Sequence, residues 1–169
     1  MQISSENAFM SGPLPRFLCD VMLARFARYL RAAGYDTALA ADAAADREII
    51  RQAAEEGRWL LTVDRQIQEH KAARGRLVTL PHASLNAQAR TLQERFAMDW
   101  MGHAFSRCIL DNAPLEALKD AEMSKVPEDV RHSGEPLMRC PSCGRVYWRG
   151  SHYRRMMGRL QRWQDRDFD

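Results

Sequence analysis

The sequence predicts an α/β fold with a mostly parallel sheet, followed by a small cysteine-bearing module. Three observations carry this. Short apolar runs alternate with amphipathic helical stretches over the first hundred residues, the pattern of a parallel sheet covered on both faces. Two of the runs end in an aspartate, at Asp20 and Asp64. Past Asp99 the periodicity fades, and Cys, Pro and Gly punctuate the chain.

The elements follow in order. Residues 1–14 are polar and read as a flexible tail without a signal pattern. RFLCD, residues 16–20, is a buried strand. In the next stretch Leu23, Phe26, Ala27 and Leu30 recur at helical spacing, and Gly34 is placed to stop the helix. TALAA, 37–41, is a weaker strand. Asp46 is placed to N-cap a helix with Ile49, Ile50, Ala53 and Ala54 facing the core, stopped by Gly57. RWLLTVD, 58–64, is the next strand, residues 65–74 a short helix, and RLVTL, 76–80, a strand closed by Pro81. Ser84 caps a helix reaching about Met98 with Leu85, Leu92 and Phe96 on one face. The expected organisation is tail 1–14, α/β domain 15–99 and appended module 100–169, the last ending in a basic helix over 153–163. No internal repeat stands out.

The chain has 169 residues, 46% hydrophobic and 28% charged, a composition that suits a globular domain. No apolar run is long enough to span a bilayer, so no membrane partner is expected. Four cysteines do not make a secreted disulfide framework, and the expected setting is cytoplasmic. Cys19 lies in an apolar strand and reads as core. Net charge is +3, but eight arginines fall within residues 139–166 against the single acid Asp165. Tyr147, Trp148, His152, Tyr153 and Trp163 lie among them. Arginine interleaved with aromatics suits phosphate contacts and base stacking, hence RNA; a solvated helix face is the plain alternative.

In an open parallel sheet, ligands gather at the carboxyl ends of the strands. Asp20 and Asp64 end strands there, and Asp42 and Asp46 precede a helix on the same edge. Such a group of carboxylates is tolerable around a divalent cation, and oxygen ligands favour Mg²⁺ or Mn²⁺. Each aspartate also has a structural reading, as a helix cap or a loop residue. No nucleophile elbow, glycine-rich phosphate loop or HExxH motif competes for the chemistry.

Taken together, FLCDVMLARFARYLRAAGYDT, DREIIRQAAEEGRWLLTVDR and RCPSCGRVYWRGSHYRRM resemble the Mut-seven C-terminal RNase family, over roughly residues 15–163. That family joins a PIN-like nuclease domain to a C-terminal zinc ribbon. The resemblance implies a ribonuclease dependent on Mg²⁺ or Mn²⁺. It carries the family's first acid onto Asp20, the middle acid onto Asp46 with Asp42 as alternative, and the strand-end acid onto Asp64. A fourth acid falls on Asp42 or Glu69. Arg25 and Arg28 match an early R-x-x-R that faces RNA phosphate or the acidic edge; salt bridges to Asp36 or Glu48 are the alternative. Arg149, His152, Arg154 and Arg155 are the RNA-contacting candidates of the C-terminal module.

The ribbon implied by the family offers C-x-x-C twice. Here the second pair is Cys140 and Cys143, while the first reads Cys108 and Asp111. Asp can complete a tetrahedron around Zn²⁺ with three thiolates. The alternatives are a histidine ligand (His103, His132 or His152) and a metal-free turn in which Asp111 bonds backbone amides. Two functions are expected: a metal-dependent ribonuclease cutting at the aspartates, or a non-catalytic RNA- or protein-binding module using the ribbon and basic helix. An aspartyl phosphotransfer protein is disfavoured, since the first strand end lacks paired acids and Lys71 falls in a predicted helix.

Overall fold

A computed structural model describes residues 13–73 and 75–169; most of the 1–14 tail lies outside the described residues. Four short strands build the main sheet: β1 (Phe17–Cys19), β2 (Thr37–Leu39), β3 (Trp59–Thr62) and β4 (Leu77–Thr79). All pair in parallel, in the order β2-β1-β3-β4. Helix α1 (Ala24–Ala32) joins β1 to β2 and α2 (Asp46–Glu55) joins β2 to β3; two 3₁₀ turns lie between β3 and β4, and α3 (Leu85–Phe96) follows β4. Strand alternation sorts the core into two layers. Phe17, Cys19 and Leu61 face α1 and α3, whereas Leu18 and Leu60 face Ile49, Ile50 and Ala53 of α2. The three-layer α/β/α architecture expected from the sequence is present.

Local signals explain most boundaries. Gly34 adopts φ +94°, and a β-carbon there would collide with the His103 carbonyl oxygen, so both the turn and the close approach require glycine. The Ser84 hydroxyl accepts from the Ala87 amide at 3.2 Å and opens α3 as expected. Two expectations need correction. Asp46 is the first residue of α2 rather than its N-cap; Ala45 holds that position, and its amide donates to the Glu48 carboxylate at 3.2 Å. In place of the helix expected over 65–74, two 3₁₀ turns form, Gln66–Glu69 and Lys71–Ala73, because the segment offers too few buried apolar positions to propagate a full helix.

Beyond α3 the chain builds a second, antiparallel sheet of β5 (Glu116–Ala117), β6 (Met138–Arg139) and β7 (Val146–Tyr147), with a one-turn α4 (Glu128–Arg131) between β5 and β6. The last helix, α5 (Ser151–Gln164), returns to the main core. Its Met156, Leu160 and Trp163 are buried with the residues of α1 and α3. Trp163 packs against Phe26, Tyr29 and Trp100, and its indole N–H donates to Asn86 at 3.0 Å. The basic helix is therefore also a core helix, amphipathic with arginines outward. No helix among the described residues is long and apolar enough to cross a membrane.

Candidate active edge, cysteine centre and arginine groove

The first site lies where β1 and β3 end side by side. In the order β2-β1-β3-β4 the connections leave β1 and β3 in opposite directions, and the crevice at such a switch point is the ligand position of open parallel sheets. Asp20 follows β1 directly and is 8% exposed. Its amide extends the ladder by donating to Leu61 O at 2.9 Å, and its side chain makes no capping bond to the following turn. Instead Oδ2 accepts from the Thr62 hydroxyl at 2.9 Å. The same Thr62 oxygen accepts from the Asp64 amide at 3.0 Å. Thr62 thus couples the two strand-end aspartates. Asp64 Oδ1 accepts from the Gln66 amide at 2.8 Å, which fixes its side chain while leaving Oδ2 uncommitted.

The other predicted acids stand further out. Asp46 opens α2, and its Oδ2 lies 3.9 Å from His70 Nε2. Asp42 sits exposed in the turn before α2, and Glu69 is exposed. No three of these carboxylates bring ligand oxygens within 4.8 Å of one another. Mg²⁺ commonly uses one or two carboxylates and keeps several waters, so the donor set of Asp20 and Asp64 fits such an ion. The exposed Met22 and His82 and the half-buried Val63 border a cavity beside this edge.

The second site is the cysteine centre. Cys108, Asp111, Cys140 and Cys143 place one ligand atom each within 4.8 Å of all the others, the group among the described residues that could hold a metal ion. Two loops build it, and they share one backbone design. Cys108 N donates to Ala113 O and Cys140 N to Arg145 O, each at 2.8 Å. Asn112 N donates to Cys108 O and Gly144 N to Cys140 O, each at 3.0 Å. Asn112 and Gly144 share the left-handed conformation, φ 72° and 71°. The flanking pairs, Arg107 with Pro114 and Arg139 with Val146, are antiparallel in both. Each position of the first loop has its counterpart 32 residues on (108 with 140, 111 with 143, 112 with 144). The family resemblance pairs the two halves by ligand spacing; the matching backbone is not legible in the sequence, because the cysteine and the arginine before it are nearly all that the loops share.

Asp111 therefore occupies, in the first loop, the position that Cys143 holds in the second. Its carboxylate accepts from the Cys140 thiol at 3.2 and 3.3 Å and from the Ala113 amide at 3.0 Å. Burial opposes its charge, but the Ala113 amide and the neighbouring thiols outweigh burial and hold the carboxyl at about 2. Burial raises the Cys140 thiol to about 12, and Asp111 adds to the rise. Cys108 Sγ lies 3.0 Å from the Tyr147 hydroxyl and 3.8 Å from Cys143 Sγ. No histidine belongs to the group; His132 Nδ1 instead lies 2.9 Å from Glu128 O. Cys19 is wholly buried, and burial pushes its thiol to about 12, as a core residue should be.

The first loop is bolted to the α/β domain. Arg31, 5% exposed, donates to Thr37 O at 2.8 Å, Ile109 O at 3.2 Å and Leu110 O at 2.6 Å. Asn112 donates to Asp36 Oδ1 at 2.7 Å and accepts from the Thr37 amide at 2.9 Å.

The third feature is basic. Arg25 and Arg28 of α1 face Arg155, Arg159 and Arg162 of α5 across one groove, with His152 at its rim. The alternative partners expected for Arg25 and Arg28 are engaged elsewhere: Asp36 pairs with Arg16 and Arg58, and Glu48 caps its own helix. Arg154 is exposed outside the groove, and Arg149 approaches Glu135 at 4.0 Å. Three residues escaped the sequence reading. Thr62 was visible within LLTVD without a role. Arg159 and Arg162 continue the face of Arg155 at helical spacing, which could have singled them out.

The chain thus combines a parallel α/β sheet with carboxylates at its switch point and a paired-loop cluster that could hold a metal ion. The family model described as the Mut7-C RNAse domain matches residues 15–160, and the chain belongs to that family. Membership suggests a nuclease-type function with RNA as substrate class. Comparison with curated proteins and with solved structures finds no match.

Proposed function

We propose that this protein is a ribonuclease that hydrolyses RNA phosphodiester bonds at the carboxyl edge of β1 and β3, using Mg²⁺ or Mn²⁺. One observation carries the reading: Asp20 and Asp64 share Thr62 at the switch point of the sheet, in a chain of an RNase-domain family. A divalent ion held there supplies an activated water and stabilises charge developing on phosphate oxygens. Asp20, buried and fixed by one hydroxyl, and Asp64, with one oxygen uncommitted, are its ligands. Asp46 reaches the same edge from the start of α2 and orients water, with His70 beside it. Asp42 lies in the preceding turn and serves as an outer carboxylate. Arg25 and Arg28, one and two turns past Asp20, draw the phosphate backbone toward the acids.

The cysteine centre has a structural role in this reading. Three thiolates and one carboxylate suit tetrahedral Zn²⁺, with no open position for catalysis. Held by Cys108, Asp111, Cys140 and Cys143, such an ion would tie β6 and β7 to the loop that Arg31 and Asn112 fasten to the sheet.

Binding without cleavage is the second reading, supported by the spread of Asp42 and Asp46 away from the Asp20–Asp64 pair. One experiment separates the two. Wild type and Asp64→Asn are incubated with a mixed-structure RNA, in Mn²⁺ and in chelator. The asparagine keeps the Oδ1 that accepts from Gln66, so the turn is preserved. Cleavage that requires the ion and disappears in the variant is the expected result; equal cleavage by both proteins removes the acids from the chemistry, and no cleavage by either favours binding alone.

A further inference from the structure

Two cavities meet beside the first cysteine loop. The arginine groove encloses about 450 Å³. A second cavity of about 280 Å³ is lined by Tyr147, Trp148 and Tyr153. Ile109 and His152 line both, so the two adjoin. None of the five groove arginines has an ion-pair partner among the described residues. Arg159 lies over the Tyr29 ring at 5.3 Å, which orients it without neutralising it. Five like charges around one groove focus a field that an extended polyanion would relieve.

The helices set a direction. At one end Trp163 of α5 rests on Phe26 and Tyr29 of α1. At the other, the Phe105 amide donates to Ala32 O, and the Phe105 ring packs on Tyr153 at 4.4 Å. α5 is therefore antiparallel to α1. Arg25 stands at the end near Asp20, and the aromatic cavity stands at the far end.

The geometry points to a track for single-stranded RNA, with one unstacked base in the cavity of Tyr147, Trp148 and Tyr153 and the adjoining phosphates along the five arginines toward Asp20. Guanidinium groups take phosphate oxygens in a bidentate fork, and aromatic rings accept any base face. A duplex keeps its bases paired and stacked and cannot fill the cavity. An acidic peptide would satisfy the arginines but leave the aromatic cavity without an occupant. The inference rests on the ribonuclease reading for the identity of the polymer alone.

The test is equilibrium binding of a short labelled oligouridylate, read by anisotropy without added Mg²⁺ or Mn²⁺, across a salt series. Arg25→Gln, Arg28→Gln and Arg155→Gln combined should weaken binding by more than about tenfold and make the salt slope shallower by about 2, since each single-strand phosphate contact contributes about 0.7. Trp148→Ala should weaken binding about tenfold at an unchanged slope, and Trp148→Phe should restore most of it. A duplex of equal length should compete poorly. The track is overturned if the triple variant keeps its affinity and slope, if Trp148→Ala binds as wild type, or if the duplex competes as well as the single strand. A protein that binds in the expected pattern but never cleaves retains the track and loses the nuclease reading; one that cleaves with binding indifferent to these substitutions does the reverse.

Discussion

Replacing Asn112 tests whether the first cysteine loop is docked by specific bonds. Asn112 donates to Asp36 Oδ1 at 2.7 Å and accepts from the amide of Thr37, a residue with no solvent exposure. A hydrogen bond to a charged acceptor contributes about 1.5–3 kcal/mol, and a buried amide left unpaired costs about 1–3 kcal/mol. Asp36 retains some exposure, so the lower half of the first range applies. Glycine at φ 72° relieves backbone crowding but adds chain entropy of similar size, about 0.5–1 kcal/mol. Asn112→Gly should therefore lose about 2.5–5 kcal/mol. Asn112→Ala loses the same bonds and also holds a β-carbon in the left-handed region, at about 1–2 kcal/mol more. Urea unfolding followed by tryptophan fluorescence gives both values, with the slope expected to stay constant. The loss should appear in chelator too, because neither bond involves a metal. Wild-type stability for the glycine variant would refute the docking argument, and an alanine variant at least as stable as glycine would refute the backbone argument.

Asp111→Cys should tighten metal binding, and Asp111→Ala should weaken it, both read by competition with a chromophoric chelator; an unchanged affinity in both would mean that Asp111 is not a ligand. Thr62→Val should lower the rate of RNA cleavage by roughly 10- to 100-fold, with Thr62→Ser restoring it, because the shared hydroxyl positions Asp20 and Asp64. Asp36 gives an acid-sensitive contact: burial opposes its charge, but hydrogen bonds from Arg58, Asn112 and Arg16 outweigh burial and hold its carboxyl well below the usual range. A depressed folded-state value stabilises above the unfolded value of about 3.9 and loses that contribution as pH falls below it. Wild type should accordingly exceed Asp36→Asn in stability at neutral pH and approach it in acid, and a constant gap down the titration would contradict the assignment.

The parts legible in the sequence were those governed by local chemistry. The apolar runs ending in Asp20 and Asp64 became β1 and β3, and Gly34 and Ser84 bounded their helices. The α/β/α layering followed from alternation. Less visible were features decided by tertiary partners. Asp46 resembles a cap by type, but the Glu48 side chain reaches back to Ala45 and moves the cap one residue. Thr62 acquires its role only when β1 lies beside β3. The arginines of the last helix were legible as charge, whereas Met156, Leu160 and Trp163 on its opposite face tie it to α1 and α3. Arg31, which the sequence reading did not single out, turns inward to hold three carbonyl oxygens, one at the nearby Thr37 and two in the first cysteine loop.

That inward turn has a mechanical consequence. With α5 seated in the core and the first cysteine loop clamped by Arg31 and Asn112, the aromatic cavity stands at a fixed offset from Asp20 along α1. On the proposed track, the two ends would work as a caliper rather than as a hand on a tether. A strand held by one base would present the same neighbouring bond to the acids at every encounter, and its cut positions would keep constant spacing from the gripped nucleotide whatever the surrounding sequence.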